Sequence, residues 1–508
     1  MKPYYITTPL YYVNAEPHIG HAYTTVAADV LARFMRARGR ETHLLTGTDE
    51  HGAKIAEAAS AAGISPQAWA DKISGSFREL WKHLDVRHDD YIRTTEERHK
   101  ACVAAVFSAL KDSGDIYKGR YSGFYCLSCE SYWTDKEAPE IEGKRKCPNT
   151  ECRRPLQLVE EESYFFRLSK YQERLTELYK KGMFLQPSNR ANEIVRFVER
   201  GLEDISISRT KVKWGIPVPG DPEHTIYVWF DALINYVSAL GFQPGGSPGR
   251  FNDLWPAEVH IVGKEIYRFH AVIWPAMLMA LGVEPPARVF AHGWWTVSGK
   301  KMSKSLGNFI DPREVTREFG VDAFRYFLMR EVPFGNDGDF SIEALRKRYN
   351  AELANDLGNL LSRVLEMVDK YIQGNLPKRP ALEEDFKTSQ IAKRSPEIAA
   401  AMERLAFSEA LEIIWSCVRL LNEHVNATAP WKLFKTDPDK VKPILFDLVW
   451  SLRIIAGWIE PFMPRTAAAM QAQLGVRQFP MPLTPEEVLH GPNGDRIQKG
   501  PPLFPRKT

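Results

Sequence analysis

Two short groups of residues carry side chains suited to binding phosphate. In the first, His18 and His21 stand three positions apart with Gly20 between them, after a β-branched and aromatic run and a proline. This order predicts a strand, a loop and a helix start on which both imidazoles share one face. The N–H groups and positive dipole end of that turn attract phosphate, and Gly20 lets a flat ligand approach the backbone. We interpret the group as a nucleoside triphosphate site, although two such histidines alone are more often structural.

The second group is a loop with two lysines around a small polar pair. Residues 301–305 read KMSKS and lie between two glycines. Lysine provides a mobile point charge, which suits the phosphates of a departing pyrophosphate and its Mg²⁺. A solvated basic loop is the alternative, but finding both groups in one chain argues against it. We therefore predict that Lys301 and Lys304 act on the same phosphates as His18, Gly20 and His21.

Four of the six cysteines lie in one segment. Cys126 and Cys129 are separated by two residues, and Cys147 and Cys152 by four. Two such pairs can place four thiolates around one tetrahedral Zn²⁺, against the alternative of four free thiols. Because four protein ligands leave no open position, we expect one structural zinc per chain.

Composition indicates an ordinary globular protein. The 508 residues are 44% hydrophobic and 26% charged, with a net charge of +3. With so small a net charge, contact with nucleic acid must depend on local basic patches. The chain opens without a signal pattern and has no apolar run of membrane-spanning length, so we expect a cytoplasmic protein without a membrane partner.

The elements around the histidines predict a parallel βαβ unit. We expect a strand at residues 4–8, a helix at 17–38 and a strand at 42–45. Ligands gather at the carboxyl ends of such strands, where Asp49 follows the second one. Asp49 is therefore either a carboxylate for the substrate's ammonium group or a cap for the next helix.

The rest of the chain predicts an α/β fold with a doubly wound, Rossmann-type parallel sheet. Residues 66–112 have an amphipathic helical pattern, residues 225–230 and 260–262 predict buried strands, and a strand at 288–291 closes the sheet. No strand pattern follows residue 333, and helices follow to residue 474. The predicted division is a first catalytic half (1–116), a zinc-bearing insertion (117–220), a second catalytic half (221–343), and an α-helical bundle with a proline-rich tail that wraps over earlier domains or frays (344–508).

The two phosphate-binding groups resemble the HIGH and KMSKS signatures of class I aminoacyl-tRNA synthetases. The resemblance implies that His18, His21, Lys301 and Lys304 are catalytic and that, together with Gly20, they bind ATP. Over essentially the whole chain, the closer resemblance is to methionyl-tRNA synthetases, through segments 8–14 (TPLYYVN), 46–52 (TGTDEHG), 227–233 (YVWFDAL) and 263–266 (GKEI) and the four-cysteine insertion. The resemblance implies a ligase that activates L-methionine with ATP and transfers it to the 3′ end of methionine tRNA, initiator and elongator.

The resemblance also implies which residues surround methionine. Without it, this aromatic and aliphatic group would be interpreted as ordinary core. The matching positions are Leu10, Tyr12, Asp49, Trp229, Ala232, Leu233, Tyr236, Ile266, Phe269 and His270. By resemblance, Asp49 holds the ammonium group, and Tyr236 and His270 bound the thioether end.

The role of Arg209 remains open. It either contacts phosphate or the tRNA end, or forms an ion pair at the surface.

A polar stripe in the bundle suggests contact with unstacked bases. Asn355, Asn359 and Arg363 follow one another at four-residue steps, and Trp431 follows Pro430 at a predicted helix start. From the residues alone, a solvated face and a core tryptophan would be the simpler interpretation. The resemblance implies instead that these four residues bind the anticodon.

Two features depart from the family pattern. The second cysteine pair is wider than the common two-residue knuckle, and the chain lacks the appended tRNA-binding domain of dimeric members, which implies a monomer. One alternative is a class I synthetase for leucine, isoleucine, valine or cysteine. Insertion 117–220 is too short for the editing domain of the aliphatic enzymes, and the cysteine enzyme holds zinc at its amino acid. A non-catalytic RNA-binding relative, the other alternative, would not need both signatures intact.

Overall fold

The N-terminal part alternates parallel strands with helices, as its sequence pattern predicts. The structure, a computed structural model, describes residues 2–126, 131–133, 138–141, 143–149, 152–301, 308–376, 386–476 and 496–507. In this part the elements are β1 (Tyr4–Tyr12), α1 (Ile19–Ala37), β2 (Thr42–Asp49), α2 (Ala53–Ala61), α3 (Pro66–His83), β3 (Asp90–Arg93) and α4 (Glu97–Asp112). Ser65 caps α3, and Pro66 occupies its first turn, where a missing N–H is tolerated.

The inserted part consists mainly of antiparallel strands. Its elements are β4 (Ile116–Cys126), β5 (Ser131–Trp133), β6 (Glu140–Ile141), β7 (Lys144–Arg145), β8 (Gln157–Phe166), α5 (Gln172–Lys180), β9 (Leu185–Gln186), α6 (Ser188–Glu199), β10 (Ile205–Ser206), β11 (Ser208–Arg209), β12 (Pro217–Val218) and β13 (Asp221–Ile226). Strands β10, β8, β4 and β5 form one sheet, and β11, β13 and β12 form another.

The α/β pattern then resumes. The next elements are α7 (Val228–Leu233), α8 (Asn235–Ser238), α9 (Phe251–Leu254), β14 (Val259–Gly263), α10 (Trp274–Ala280), β15 (Val289–His292), β16 (Trp295–Val297), β17 (Lys300–Lys301), α11 (Pro312–Phe319), α12 (Val321–Arg330) and β18 (Gly338–Asp339). A π-helical segment, Phe269–Ile273, precedes α10.

A six-stranded parallel sheet joins these parts in the order β3-β2-β1-β14-β15-β9. Helices cover both faces, so its central strands are buried and apolar on both sides, as in β14, where every residue is buried. Strand β1 lies between β2 and β14, with Thr7 opposite both Leu45 and His260. The predicted Rossmann-type class is therefore confirmed.

Helices dominate the remaining chain. They are α13 (Ile342–Arg348), α14 (Asn359–Ile372), α15 (Lys387–Ala392), α16 (Ser395–Glu403), α17 (Phe407–Thr428), α18 (Pro430–Thr436), α19 (Pro438–Ile459) and α20 (Pro464–Gln473), with a π-helical segment, Tyr349–Gly358, before α14. The described tail residues pack on them, since Ile497 is buried and Tyr349 donates to the carbonyl of Pro505 at 3.0 Å. Among the described residues, no helix has both the length and the apolar character needed to cross a bilayer.

Several predictions of individual elements are wrong. Residues 228–230 are not a strand, because β13 ends at Ile226 and α7 begins at Val228. The helical pattern at 66–112 is interrupted by β3, and β9 rather than the strand at 288–291 closes the sheet. Short strand β18 follows residue 333. Buried apolar residues occur in both kinds of element, so short runs do not distinguish them.

Candidate functional site

A cavity of about 310 Å³ opens at the carboxyl ends of the central strands. Leu10 and Tyr12 come from the end of β1, Asp49 from the end of β2, and Gly263 from the end of β14. Because β2 and β14 flank β1 on opposite sides, the cavity lies where the strand order reverses. Ligands of open parallel sheets bind at this position.

The structure brings nine of the ten predicted methionine-pocket residues to this cavity. They are Leu10, Tyr12, Asp49, Trp229, Ala232, Leu233, Tyr236, Ile266 and His270. The tenth, Phe269, is not among the lining residues, and its ring stacks on Trp229 with centroids 4.0 Å and planes 8° apart. Phe269 therefore supports the wall that Trp229 presents.

Asp49 lies at the entrance of the apolar half. Its residue is only 7% exposed, and it lines the cavity beside Leu10 and Tyr12. The alternative interpretation of Asp49 as a helix cap is wrong, because Gly52 is the N-terminal cap of α2 and no side chain caps that helix. A buried carboxylate at a cavity wall is suited to a cationic ligand group.

The apolar half ends in a hydrogen-bonded pair of rings. The Tyr236 hydroxyl lies 2.6 Å from Nε2 of His270, and Nδ1 of His270 lies 3.0 Å from the carbonyl oxygen of Ile266. A carbonyl only accepts, so Nδ1 carries the proton and Nε2 accepts from Tyr236. Burial lowers the pKa of His270 to about 4, and the ring is therefore neutral at physiological pH.

The two predicted phosphate-binding histidines form the start of α1. Nδ1 of His18 accepts from the backbone N–H of Gly20 at 3.0 Å, and Nδ1 of His21 accepts from the backbone N–H of His18 at 3.1 Å. Their rings stack with centroids 3.9 Å apart. In the neutral form each ring therefore carries its proton on Nε2, as a donor. Desolvation, with His18 close by, holds the pKa of His21 well below 6.5.

The absence of a side chain at Gly20 makes room for the ring of His18 as well as for a ligand. A Cβ at this position would lie 2.8 Å from Cε1 of His18, closer than such contacts occur. The absence of a side chain therefore lets the His18 ring fold back over the first turn. Sequence reasoning identified the glycine but not this reason.

The lysine loop lies mostly outside the described residues. Lys304 is among those outside, and Lys301 is described only through its backbone, as the end of β17. The chain that follows the loop contacts the histidines: Ile19 donates to the carbonyl of Ile310 at 3.2 Å, and the Phe309 ring lies 5.8 Å from that of His18.

Sequence reasoning missed a further set of cavity residues. They include Lys54, Glu265, His292, Gly293 and Trp294. His292 Nε2 lies 2.7 Å from the Thr24 hydroxyl, and the Trp294 indole donates to the Glu265 carboxylate. A signal was present, since Glu265 and Gly293 follow β14 and β15 directly at the ligand-binding edge of the sheet.

Three of the four predicted metal ligands are described, and they cluster. The Sγ atoms of Cys126, Cys147 and Cys152 all lie within 4.8 Å of one another, and those of Cys126 and Cys152 are 3.5 Å apart. Thiolates around tetrahedral Zn²⁺ lie about 3.8 Å apart, as Zn–S bonds of ~2.3 Å require. The donor set fits a metal of this kind, and Cys129 lies outside the described residues.

Arg209 is not a surface residue, so its interpretation as a surface ion-pair partner is wrong. It is 6% exposed, donates to the Ser206 hydroxyl at 3.0 Å, and its guanidinium lies 4.0 Å from the centre of the Tyr227 ring. No observation tests its other predicted role.

The four predicted anticodon residues lie at the surface of the bundle. Trp431 is 38% exposed, and the Arg363 guanidinium lies 5.6 Å from the centre of its ring. The prediction of one regular α-helical stripe is wrong, because Asn355 belongs to the π-helical segment and the four-residue register begins only at Asn359. Asn355 also accepts from Arg506 of the tail at 2.6 Å.

Comparison with known proteins gives one consistent family. The model for tRNA synthetases class I (M) matches residues 4–365, and that for the anticodon binding domain of methionyl tRNA ligase matches residues 377–506. Methionine–tRNA ligase of Caldanaerobacter subterraneus subsp. tengcongensis is 48% identical over 99% of this chain and 79% of the relative. The Bacillus subtilis enzyme is 43% identical over 99% of this chain and 78% of its own length.

A solved structure agrees with these relatives. Mycobacterium tuberculosis methionyl-tRNA synthetase in complex with methionyl-adenylate superimposes with a TM-score of 0.93 and 40% sequence identity, covering 100% of both chains. The same enzyme in its free state gives a TM-score of 0.86 at 36% identity.

Proposed function

The chain belongs to the methionyl-tRNA synthetases of class I, and on that premise we propose how its residues perform the reaction. It activates L-methionine with ATP to methionyl-adenylate and transfers the methionyl group to the 3′ end of methionine tRNA. One observation carries this proposal. The uncharged pair Tyr236 and His270 and the helix start with His18 and His21 line the same cavity at the carboxyl ends of the strands. The match to the methionine family runs over nearly the whole chain. It therefore supports neither of the two alternatives, a synthetase for leucine, isoleucine, valine or cysteine and a non-catalytic RNA-binding relative.

In the first step, a carboxylate oxygen of methionine attacks the α-phosphorus of ATP. A new P–O bond forms as the bond to the β-phosphate breaks, and pyrophosphate leaves with the electron pair. The carboxylate is already ionised at neutral pH, so positioning and charge stabilisation must supply the rate. We assign the ammonium group to Asp49 and the thioether to the wall made by Tyr236 and His270.

The polar half is assigned to ATP. His18 and His21 are suited to donate from Nε2 to α-phosphate oxygens, and Lys301 and Lys304 to neutralise the departing pyrophosphate with its Mg²⁺. The Glu265 carboxylate, which lines the same half, is suited to accept from ribose hydroxyl groups. In the second step a hydroxyl of the terminal tRNA ribose attacks the methionyl carbonyl carbon, and AMP leaves.

The cysteine cluster is assigned to one structural Zn²⁺ held by Cys126, Cys129, Cys147 and Cys152. When bound, the metal would link the end of β4 to the segment before β8 through coordination bonds. Four thiolates would leave no position for a substrate.

The bundle is assigned to the anticodon. Exposed Trp431 beside Arg363 provides an aromatic platform next to a cation, which suits an unstacked base. Asn355 and Asn359 add amide donors and acceptors on the neighbouring turns. The division into two catalytic halves (1–116 and 221–343), an insertion (117–220) and a bundle (344–508) is part of this proposal, with β9 of the insertion completing the catalytic sheet.

One experiment tests the proposed function as a whole. Exchange of labelled pyrophosphate into ATP should depend on methionine and not on the other nineteen amino acids, and methionine should then be transferred to methionine tRNA. Exchange driven by another amino acid would contradict the assignment of the pocket. A monomer in light scattering and a cytoplasmic location remain predictions of the same proposal.

A further inference from the structure

A buried histidine lies directly behind the aromatic end of the amino-acid pocket. His260 is on β14, fully enclosed, and pairs in register with Thr7 of β1. It does not line the cavity, whereas Tyr236 in front of it does. The two rings stack with centroids 4.2 Å and planes 26° apart. Any movement of the His260 ring is therefore transmitted to Tyr236.

The hydrogen bonds of His260 select one tautomer. The indole Nε1 of Trp274 lies 3.1 Å from Nε2 of His260, and the Thr7 hydroxyl lies 2.6 Å from its Nδ1. An indole N–H can only donate, so Nε2 of His260 must be the acceptor. The single proton of the neutral ring is therefore on Nδ1 and is donated to Thr7. Burial, with His270 close by, lowers the pKa of His260 well below 6.5.

The same reasoning extends to the two residues in front. His270 donates from Nδ1 to the carbonyl of Ile266 and accepts at Nε2 from the Tyr236 hydroxyl. The Tyr236 proton and both imidazole protons are thus used within the protein. Among Tyr236, His260 and His270, no N–H or O–H remains for a ligand, and no ring is charged.

We propose that His260 is a positioning residue that determines which side chain the amino-acid pocket accepts. Hydrogen bonds to Trp274 and Thr7 fix the His260 ring, and this ring stacks on the side of Tyr236 that faces away from the cavity. Tyr236 and His270 therefore form a fixed wall that carries no charge and has no unused hydrogen-bond donor. Such a wall fits an uncharged, unbranched side chain that ends in a thioether, because a thioether donates no hydrogen bond and does not need to accept one. The inference rests on the proposed function, because it concerns the pocket assigned to methionine.

Two substitutions of His260 separate its stacking from its hydrogen bonds. His260→Asn removes the ring behind Tyr236, whereas His260→Phe keeps a ring but leaves the Trp274 N–H and the Thr7 hydroxyl unpaired. In pyrophosphate exchange we expect His260→Asn to raise the KM for methionine about tenfold or more, and to lower the methionine-over-leucine ratio of kcat/KM by a similar factor. The KM for ATP should stay within about twofold. His260→Phe should lie between this variant and the wild type.

The controls distinguish positioning from general loss of structure. His83→Asn makes the same substitution at an exposed histidine that bonds Thr316 outside the cavity, and it should leave both KM values unchanged. If His260→Asn does not fold, Thr7→Val provides a second variant that leaves every ring in place. It should shift the methionine KM in the same direction by a smaller factor. Parallel changes in the KM for methionine and ATP, or an unchanged methionine KM and ratio, would overturn the proposal.

A spectroscopic measurement tests the tautomer itself. In the ¹⁵N-histidine-labelled wild type, the signal absent from His260→Phe should show a neutral ring protonated at Nδ1 and should still be neutral at about pH 6.5, where a free histidine is half charged. An Nε2-protonated or charged ring would overturn the proposal. If the wild type shows no methionine-dependent exchange, the proposed function itself fails; if it does and only the variants disagree, this inference alone fails.

Discussion

At the scale of single residues, the site is built from groups whose protonation is set by their neighbours. Backbone N–H groups occupy Nδ1 of His18 and His21, and a carbonyl occupies Nδ1 of His270. The first two rings are therefore donors at Nε2, and the third is an acceptor there. One residue type thus presents a donor at the proposed phosphate end of the cavity and an acceptor at its apolar end.

Asp49→Asn tests the ammonium assignment at this scale. A hydrogen bond to a charged group contributes about 1.5–3 kcal/mol, so we expect kcat/KM for methionine in pyrophosphate exchange to fall about 10- to 100-fold. The KM for ATP should change little. The exposed Asp253→Asn provides a matched control with the same change far from the cavity. A methionine KM and kcat equal to those of the wild type would rule out the assignment.

At the scale of elements, short segments carry the two sites outside the cavity. The cysteines belong to the end of β4 and the loop before β8, and Trp431 belongs to the first turn of the short helix α18. Neither segment has a large apolar core, so each depends on contacts from a neighbouring element. The proposed metal ligation and the observed Arg363–Trp431 pair are such contacts.

Cys152→Ser should lower the bound metal from one zinc per chain toward none. The hydroxyl of serine is a much poorer zinc ligand than a thiolate, so the inserted segment should become sensitive to protease before exchange activity declines. Metal content by mass spectrometry under reducing conditions measures this, with Cys417→Ser, a buried cysteine of α17, as the control. Wild-type protein without stoichiometric metal would refute the site.

Trp431→Ala should weaken tRNA recognition by about 1–3 kcal/mol, the contribution of one base stacked on an aromatic ring. Methionine-dependent pyrophosphate exchange should remain near the wild-type level, because the ring lies in the bundle. The neighbouring Lys432→Ala, an exposed charge on the same helix, should cause a smaller loss that disappears at higher salt. Normal charging by Trp431→Ala, or equal losses of exchange and charging, would exclude the anticodon role.

At the scale of the whole molecule, a buried charge network joins the catalytic sheet to the bundle. Asp29 of α1 accepts from Arg33 of the same helix and from Arg325 of α12, at 2.8 and 2.7 Å. Arg325 also donates to the carbonyls of Pro461 and Phe462, just beyond α19. Helix α1, which begins beside His18 and His21, is thereby attached to the α-helical part of the chain.

Stability should decline as the pH falls from about 6.5 toward 5. Burial lowers the pKa of His21, His260 and His270 in the folded protein, whereas the unfolded chain takes up protons near pH 6.5. Below that value the unfolded state binds more protons, so each histidine that stays neutral removes about 1.4 kcal/mol per pH unit from the free energy of unfolding. Urea denaturation at pH 7.5, 6 and 5 measures the loss, and an unchanged midpoint would contradict it.

The carboxylates do not account for a loss in that window. Asp29 and Asp231, both buried and paired, have pKa values below their usual range. Groups of this kind stabilise the fold above the carboxylate pKa of the unfolded chain, near 4, and this contribution falls only at lower pH. Loss of stability confined to pH below about 4 would therefore assign it to the carboxylates instead.

The sequence by itself determined those features that depend on residues close together in the chain. The spacing of His18 and His21 predicts that the two rings lie side by side at a helix start, and the paired cysteines predict the clustering of thiols that the structure shows for Cys126, Cys147 and Cys152. Alternation of strands and helices specifies a parallel sheet with its ligands at one edge. These are local rules, and the fold class and the position of the cavity follow from them, whereas the family was indicated by the resemblance of whole motifs.

Only the tertiary structure decided what depends on residues far apart in the chain. Residues 228–230 begin a helix although their composition suits a buried strand, and the strand before them, β13, pairs with β11 and β12 instead of joining the central sheet. The register that sets Thr7 opposite His260, and the contacts of His260 with Trp274 and Tyr236, cannot be read from local spacing. Burial and long-range pairing select one arrangement among those that local propensity permits, and this selection fixes the tautomers and charges of the site.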